Sequence, residues 1–99
     1  MIISRTSYRL SFFGGGSDYP AWIDLHGSGA VLSTTVDKYA YLTVRYLPPF
    51  FDHRSRIVWS EIELVKDVPE IHHPAVRECL KFLGITDGVE IHHDGDLPA

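Results

Sequence analysis

The chain has 99 residues, of which 44% are hydrophobic, and this is enough for the modest core of one small domain. A net charge of -4 and nine scattered Lys and Arg residues argue against nucleic-acid binding and favour a small-molecule partner. No apolar run approaches the roughly 20 residues of a membrane span. The N-terminus lacks a signal-peptide layout, and one cysteine, Cys79, excludes an internal disulfide. We therefore expect a cytoplasmic protein without membrane or nucleic-acid partners.

Residues 1–13 alternate in the manner of a β-strand whose two faces differ in polarity. The more polar face carries Arg5 and Arg9 toward the glycines that follow. Both arginines are also compatible with ordinary solvated positions, since charged side chains are mostly exposed.

The strand ends in a loop of three glycines, a serine and an acid: Gly14, Gly15, Gly16, Ser17 and Asp18. Glycine admits backbone angles closed to other residues and allows a ligand to approach the main chain closely. A surface turn is the simpler interpretation. The flanking Phe12, Phe13 and Pro20 favour a rigidly held loop instead, because the aromatic rings anchor its entry and proline stiffens its exit. Such a loop with a carboxylate is suited to binding hydroxyl groups.

Residues 20–26 predict a short helix that begins at Pro20 and ends before Gly27. The 18 residues from 30 to 47 exceed an ordinary strand, so we expect two antiparallel strands joined by a tight hairpin near Asp37 and Lys38. Apolar residues of one parity in this stretch should face the core: Leu32, Val36, Ala40, Leu42 and Val44.

Residues 56–65 predict one further strand, straight or bent, with Trp59 in its middle. Trp59 is either a buried core residue or an aromatic surface on which a nucleotide base stacks. Residues 74–84 give the clearest helix, with Cys79 on its buried face, and residues 89–93 a short strand. The chain then stops without a closing element, which suggests part of a larger domain.

Six histidines, including the pairs 72–73 and 92–93, raise the question of a zinc site. Adjacent residues of a strand point to opposite faces, so His92 and His93 cannot ligate one ion from a regular strand. Surface or helix-capping histidines are the better interpretation, and we assign no metal ligands. The glycine loop also lacks the Gly-Lys-Ser/Thr ending of a P-loop, so it does not by itself establish a nucleotide site.

Together these residues resemble the GHMP small-molecule kinases. Arg9 and Asp18 stand nine apart, as in galactokinase-like members. The Gly-Gly-Gly-Ser-Asp loop, with VLSTTVDKY at 31–39 and HPAVRE at 73–78, looks most like the heptose 7-phosphate kinases. The resemblance extends over essentially the whole chain. It implies an α+β fold with a mixed or antiparallel β-sheet and one main packing helix, in which residues 1–99 are the truncated N-terminal part of a GHMP kinase domain (ribosomal protein S5 domain 2-like).

The resemblance implies ATP- and Mg²⁺-dependent phosphorylation of the anomeric hydroxyl of a heptose 7-phosphate. It gives Arg9 a catalytic role and assigns the acceptor sugar phosphate to the glycine loop, Ser17 and Asp18. Arg5 and Lys38 are further candidates for the substrate phosphate, and Trp59 with Ser60 for the adenine edge.

Two departures from the family pattern affect these expectations. Ser7 stands where the family usually has proline, and the family's ATP loop, Pro-x-x-x-Gly-Leu-Gly-Ser-Ser, would begin at about Pro98. We therefore expect the main ATP and Mg²⁺ elements beyond residue 99, an inactive isolated chain and self-association through an incomplete sheet. The alternatives are a non-catalytic sugar-binding or interaction module and a related kinase that acts on fucose or galactose.

Overall fold

The structure, a computed structural model, describes residues 1–98. Its elements in chain order are β1 (Ile2–Phe13), α1 (Pro20–His26), β2 (Leu32–Tyr46), β3 (Ser55–Val58), β4 (Ile62–Val65), a 3₁₀ turn (Val68–Glu70), α2 (Pro74–Leu83) and β5 (Val89–Gly95). Within this range neither helix has the length and apolar character that crossing a membrane would require.

The strands form one mixed sheet in the order β1-β2-β5-β3-β4. β2 pairs antiparallel with both β1 and β5, and β3 pairs antiparallel with β4. β3 and β5 run parallel, because the chain returns through α2 before it enters β5. The predicted α+β class with a mixed sheet and one main packing helix is therefore confirmed.

The hydrophobic core lies between α2 and the half of the sheet formed by β3, β4 and β5. Its buried apolar side chains are Ile57, Val65, Ile71, Val76, Leu80, Val89 and Ile91. Val76 and Leu80 stand one turn apart on α2, so they face the sheet together. Val44 of β2 packs against the margin of this core.

Both predicted helices are confirmed with the expected termini. Pro20 opens α1, and Gly27 follows its last residue with φ +84°. Pro74 opens α2, and Gly84 ends it in the left-handed conformation, as is common after a helix C-terminus. His73 caps the N-terminus of α2, so the interpretation of a capping histidine is correct for this residue.

The predicted hairpin near Asp37 and Lys38 is wrong, because β2 is one continuous strand of 15 residues. Its length is supported on both sides, by β1 along most of its course and by β5 over residues 40–46. The register with β1 shifts between the Ser7–Tyr39 and Arg9–Thr35 pairs. A local irregularity thus takes the place of the expected turn.

The single strand predicted over residues 56–65 is also wrong. It is a hairpin of β3 and β4, and Trp59 lies in the turn rather than in the middle of a strand. The Trp59 backbone N–H donates to the Glu61 carbonyl at 2.9 Å and closes this turn. The indole is half-buried against the core, so the residue both packs and remains accessible.

The predicted core positions of β2 are not buried. Val44 reaches the core margin, whereas Leu42 is 39% and Leu32 59% exposed. Cys79, expected on the buried face of α2, is exposed as well. The β2 positions are exposed because the core beneath α2 is formed with β3, β4 and β5, so most side chains of β1 and β2 have no layer above them.

Candidate functional site

A cleft of about 610 Å³ opens at the ends of β3 and β5, beside the N-terminus of α2. Its lining combines aromatic, imidazole and backbone groups: Tyr8, Trp59, Ser60, His73, His93, Asp94, Gly95, Leu97 and Pro98. The volume is within the range of small-molecule and cofactor sites. Trp59 and Ser60, which the family resemblance assigned to the adenine edge, both lie in it.

Three rings in edge-to-face contact form one wall of this cleft. The ring centroids of Trp59 and His73 are 4.9 Å apart with an interplanar angle of 67°, and those of His73 and His93 are 5.6 Å apart at the same angle. The indole Nε1 of Trp59 is buried and has no protein acceptor. A buried donor without a partner is costly, so this N–H is available to an acceptor that enters the cleft.

The position and tautomer of His73 are fixed by its neighbours. The Val76 backbone N–H donates to Nδ1 of His73 at 3.4 Å, which leaves the ring proton of the neutral imidazole on Nε2. Just before α2, the buried Glu63 carboxylate accepts the backbone N–H groups of His72 at 2.7 Å and His73 at 3.3 Å. Glu63 on β4 thereby attaches the start of α2 to the sheet.

The opposite wall is formed by Tyr8 of β1, whose side chain reaches the C-terminal end of β5. The hydroxyl of Tyr8 donates to the Leu97 carbonyl at 3.5 Å and lies directly over Gly95. A Cβ at position 95 would overlap the Tyr8 hydroxyl, so glycine permits this close packing. The cleft thus has one wall from β1 and one from the β3–β4 turn and α2.

The predicted glycine loop is tightly placed against the segment that precedes β2. Gly14 and Gly15 have φ values of +92° and +104°, which side chains rarely adopt. A Cβ on Gly14 would come within 2.8 Å of the Val31 Cα, and one on Gly29 within 2.6 Å of the Ser17 Oγ. The loop is therefore a packed turn with Asp18 exposed at its end.

Arg5 of β1 contacts an aromatic ring of β2. The Arg5 guanidinium lies 4.3 Å from the centroid of the Tyr39 ring, in a cation–π contact. A hydrogen bond to Asp37 raises the pKa of Tyr39 above its ordinary value of 10.0. Arg9 pairs with Thr35 across the strands and is exposed, as is Lys38.

The structure thus brings together some of the predicted site residues and not others. Trp59 and Ser60 share the cleft, and Ser17 packs against Gly29 in the segment before β2. Among residues 1–98 no hydrogen bond or ion pair joins Arg9 to Asp18, and neither residue lines the cleft.

Seven lining residues of the cleft were not predicted as site residues: Tyr8, His73, His93, Asp94, Gly95, Leu97 and Pro98. Their roles depend on pairings between distant segments, which local patterns do not specify. The one available signal was the segment 73–78, which carried the family resemblance and contains His73.

The two histidines of β5 lie on opposite faces, as expected. His93 contacts His73 in the cleft, whereas His92 donates to Glu90 on the other face at 2.9 Å. In the part of the chain that the structure describes, no three His, Cys, Asp or Glu side chains converge in a way that could hold a metal ion.

Comparison with solved structures identifies the fold. The chain matches the crystal structure of a D-glycero-D-manno-heptose 1-phosphate kinase from Bacteriodes thetaiotaomicron with a TM-score of 0.69 and 20% sequence identity. The match covers 98% of this chain and 34% of the kinase, so the chain spans about a third of that protein's length. No family model and no curated protein matches the sequence. The expected likeness to a heptose phosphate kinase is confirmed at the level of the fold.

Proposed function

We propose that this chain forms part of an ATP-dependent sugar kinase, with the acceptor bound at the glycine loop and the nucleotide base in the Trp59 cleft. The carrying observation is that the loop from Gly14 to Asp18 follows β1 directly in a fold shared with a heptose phosphate kinase. Residues 1–99 would then be the N-terminal part of a GHMP-type kinase domain. The activity belongs to the assembled kinase domain, so we expect the 99-residue chain alone to be inactive.

On the acceptor side, the chemistry follows from charge and hydrogen bonding. The exposed Asp18 carboxylate accepts hydrogen bonds from sugar hydroxyls, while Ser17 and the glycine backbone line the same pocket. Arg9 provides the positive charge that stabilises the attacking oxygen or a nearby phosphate. Phosphoryl transfer requires mainly alignment and charge stabilisation, so these groups suffice for the acceptor half of the reaction. Arg5 and Lys38 are further candidates for the phosphate that the substrate already carries.

On the nucleotide side, the residues present fit a purine base. The cleft offers the aromatic surface of Trp59, the unpartnered indole N–H and the hydroxyl of Ser60. The bound ATP would supply the phosphoryl group. We assign Mg²⁺ no ligand in this chain, since the resemblance places the main Mg²⁺ elements beyond residue 99.

The proposed acceptor is the anomeric hydroxyl of D-glycero-D-manno-heptose 7-phosphate. Fucose and galactose are the alternative acceptors, since related kinases carry a similar corner. A coupled assay of the complete protein over a panel of sugars and sugar phosphates would decide among them. Phosphorylation of the heptose phosphate by the 99-residue chain alone would contradict the expected division of the active site.

Tryptophan fluorescence tests the nucleotide side separately. The chain has two tryptophans, Trp22 and Trp59. Trp22 contacts His26 in α1 and does not line the cleft, so Trp22→Phe leaves Trp59 as the single fluorescent reporter. Titration with a non-hydrolysable ATP analogue should quench this reporter saturably, and Ser60→Ala should weaken the effect. An unchanged Trp59 signal in a folded chain would contradict base binding by this cleft alone.

Calorimetry tests the acceptor side. Heptose 7-phosphate should bind the chain, and Asp18→Asn should weaken that binding by about tenfold, since a charge-assisted hydrogen bond is worth ~1.5 kcal/mol or more. Asp24→Asn, on exposed α1, is the matched control. Sugar binding without any nucleotide binding would favour the non-catalytic sugar-binding module instead.

We also propose that the chain self-associates. β1 is a 12-residue edge strand with exposed apolar side chains, including Leu10 and Phe12. Such edges pair readily with other strands. Light scattering that shows a monomer at high concentration would contradict this proposal.

A further inference from the structure

A second groove lies away from the Trp59 cleft, on the opposite face of the sheet. Side chains of β3 alternate, so Ile57 enters the core while Arg56 points to the other side. Two cavities of about 190 Å³ and 460 Å³ adjoin there and share Leu47, Phe51 and His53. We call them together the Arg56 groove.

One cross-strand row crosses the floor of this groove. Arg45 of β2 is opposite Glu90 of β5, Glu90 is opposite Arg56 of β3, and Arg56 is opposite Leu64 of β4. Two cations therefore flank one carboxylate, with an apolar side chain at the end of the row.

The Glu90 carboxylate is already occupied by other donors. Nε of Arg45 donates to Oε2 at 2.7 Å, and Nε2 of His92 donates to Oε1 at 2.9 Å. The hydrogen bond from His92, followed by that from Arg45, lowers the pKa of Glu90 against the opposing effect of burial. This carboxylate is thus an ionised, satisfied acceptor.

Arg56 remains without a hydrogen-bond acceptor among residues 1–98. Its Nη1 forms a long ion pair with Oε1 of Glu90 at 3.7 Å, beyond hydrogen-bond distance, and its Nε is buried and unpartnered. A guanidinium whose donors are unused in a concave site favours a carboxylate or phosphate oxygen. The geometry therefore offers a guanidinium that shares Glu90 with Arg45 and His92 and whose own hydrogen-bond donors are unused.

The walls beside Arg56 are apolar and aromatic. Phe51 and His53 stack with ring centroids 5.3 Å apart and an interplanar angle of 27°. Ile62 and Leu64 of β4 are 64% and 57% exposed on the other side. The larger cavity holds Arg54 and Asp87 together, so its charges offset each other. The smaller cavity holds Arg45 and Arg56 against the single carboxylate of Glu90, so the excess positive charge belongs to it.

Backbone hydrogen bonds fix both ends of the β2–β3 loop, which lines the groove. The Leu47 backbone N–H donates to the Gly88 carbonyl at 2.9 Å, and the Arg54 N–H donates to the Val65 carbonyl at 3.0 Å. Gly88 lies so close to the Arg54 main chain that a Cβ would be 2.9 Å from its carbonyl carbon. The backbone frame of the site is therefore preformed.

We propose that the Arg56 groove binds a small organic anion with an aromatic ring, its acidic oxygens on Arg56 and its ring between Phe51 and the Ile62–Leu64 edge. The site is separate from the proposed kinase site, because Trp59 and His93 lie on the other face of the sheet. It therefore stands whether or not the chain belongs to a kinase.

NMR titration of the labelled 99-residue chain tests this with phenyl phosphate as the probe. Saturable shifts should appear at the Arg56 Nε–H and the Leu64 methyls and leave the Trp59 indole unaffected. Arg56→Gln should weaken binding about tenfold, and Lys81→Gln, which removes an equal charge from α2 on the other face, should change it less than twofold. Inorganic phosphate and phenol should each bind at least tenfold more weakly than phenyl phosphate.

Three results would overturn the proposal: equal binding by Arg56→Gln, inorganic phosphate binding as tightly as phenyl phosphate, or shifts confined to the Trp59 cleft. Leu64→Ser provides a second test that does not depend on the fold of the arginine variant, because its side chain is exposed on an edge strand. It should weaken phenyl phosphate while leaving inorganic phosphate unchanged. If Leu64→Ser does not change phenyl phosphate binding, the apolar wall does not contact the ligand and that part of the proposal is wrong.

Discussion

The two halves of the sheet are stabilised by different interactions. β3, β4 and β5 lie under α2, and nearly all of the buried apolar surface is there. β1 and β2 form a long antiparallel ribbon, paired from Ile2–Val44 to Phe13–Leu32, yet no side chain of this ribbon is fully buried in the described structure. Backbone hydrogen bonds hold the ribbon, whereas hydrophobic packing holds the helix-covered half.

The shape of the molecule reflects this division. Its radius of gyration is 17.0 Å and its longest extent 52 Å, whereas a compact domain of this length has a radius of about 13 Å. A single sheet with a helix over one half leaves the ribbon extended and exposed. We expect the ribbon to be the less stable half, with faster amide hydrogen exchange than β3 and β5.

The largest loss of stability should come from a cavity-forming substitution in the core beneath α2. Ile57 is fully buried, so Ile57→Ala should destabilise the chain by about 2–5 kcal/mol through lost burial and a residual cavity. The matched substitution in the ribbon is Leu42→Ala, which removes the same number of carbon atoms from a side chain that is 39% exposed. It should cost less than about 1 kcal/mol. Urea unfolding followed by circular dichroism measures both, and equal losses would contradict the division into two halves.

The next effect should come from detaching α2 from the sheet. Glu63→Ala leaves the backbone N–H groups of His72 and His73 without their acceptor, at a cost of about 2–3 kcal/mol. Glu63→Gln should recover part of this, because the amide oxygen still accepts. Glu61→Ala, at an exposed position in the adjoining turn, is the control. If Glu63 positions the cleft, the His73 ring resonances will shift along with stability; a loss of stability without that shift would leave only a structural role.

Substitutions at two neighbouring glycines distinguish the cost of backbone strain from the cost of steric overlap in the loop that follows β1. Both have positive φ, so Gly15→Ala should cost about 1 kcal/mol from backbone strain alone, since a Cβ there meets open space. Gly14→Ala should cost more, because its Cβ also meets the main chain at Ala30 and Val31. Thermal unfolding of the two variants gives the comparison. Equal losses of stability would mean that the segment before β2 moves to accommodate the added methyl group.

Local sequence patterns predicted the elements of this fold whose signals lie within one segment. Proline at the start and glycine after the end identified both helices, and alternation identified β1. The hairpin expected near Asp37 failed because strand length is set by neighbours: β1 and β5 together support a strand longer than usual. The turn at Trp59 was missed for the opposite reason, as four-residue strands leave little alternation to detect.

The candidate site divides in the same way. Trp59 and Ser60 were predicted because a family resemblance connected them with a nucleotide, and they do share a cleft. Tyr8 and Gly95 were not predicted, since they meet only when β1, β2 and β5 are aligned. Cys79 shows the limit of helical periodicity, because spacing identifies a face of α2 but not whether a layer covers it.

The smallest predicted effect concerns Glu90, which links the two halves through Arg45 of β2 and Arg56 of β3. The hydrogen bond from His92 and the neighbouring Arg45 lower the pKa of Glu90 below its ordinary value of 4.5. A carboxyl group with a lowered pKa in the folded state stabilises it fully above pH 4.5, and this contribution is lost as the pH falls through the folded-state pKa. Glu90→Gln should therefore make the stability less sensitive to acid below pH 4.5, while Glu61→Gln should not. Urea midpoints measured between pH 3 and pH 6 test this, and parallel curves for the wild type and Glu90→Gln would show that the ribbon does not depend on Glu90 for its attachment to the covered half.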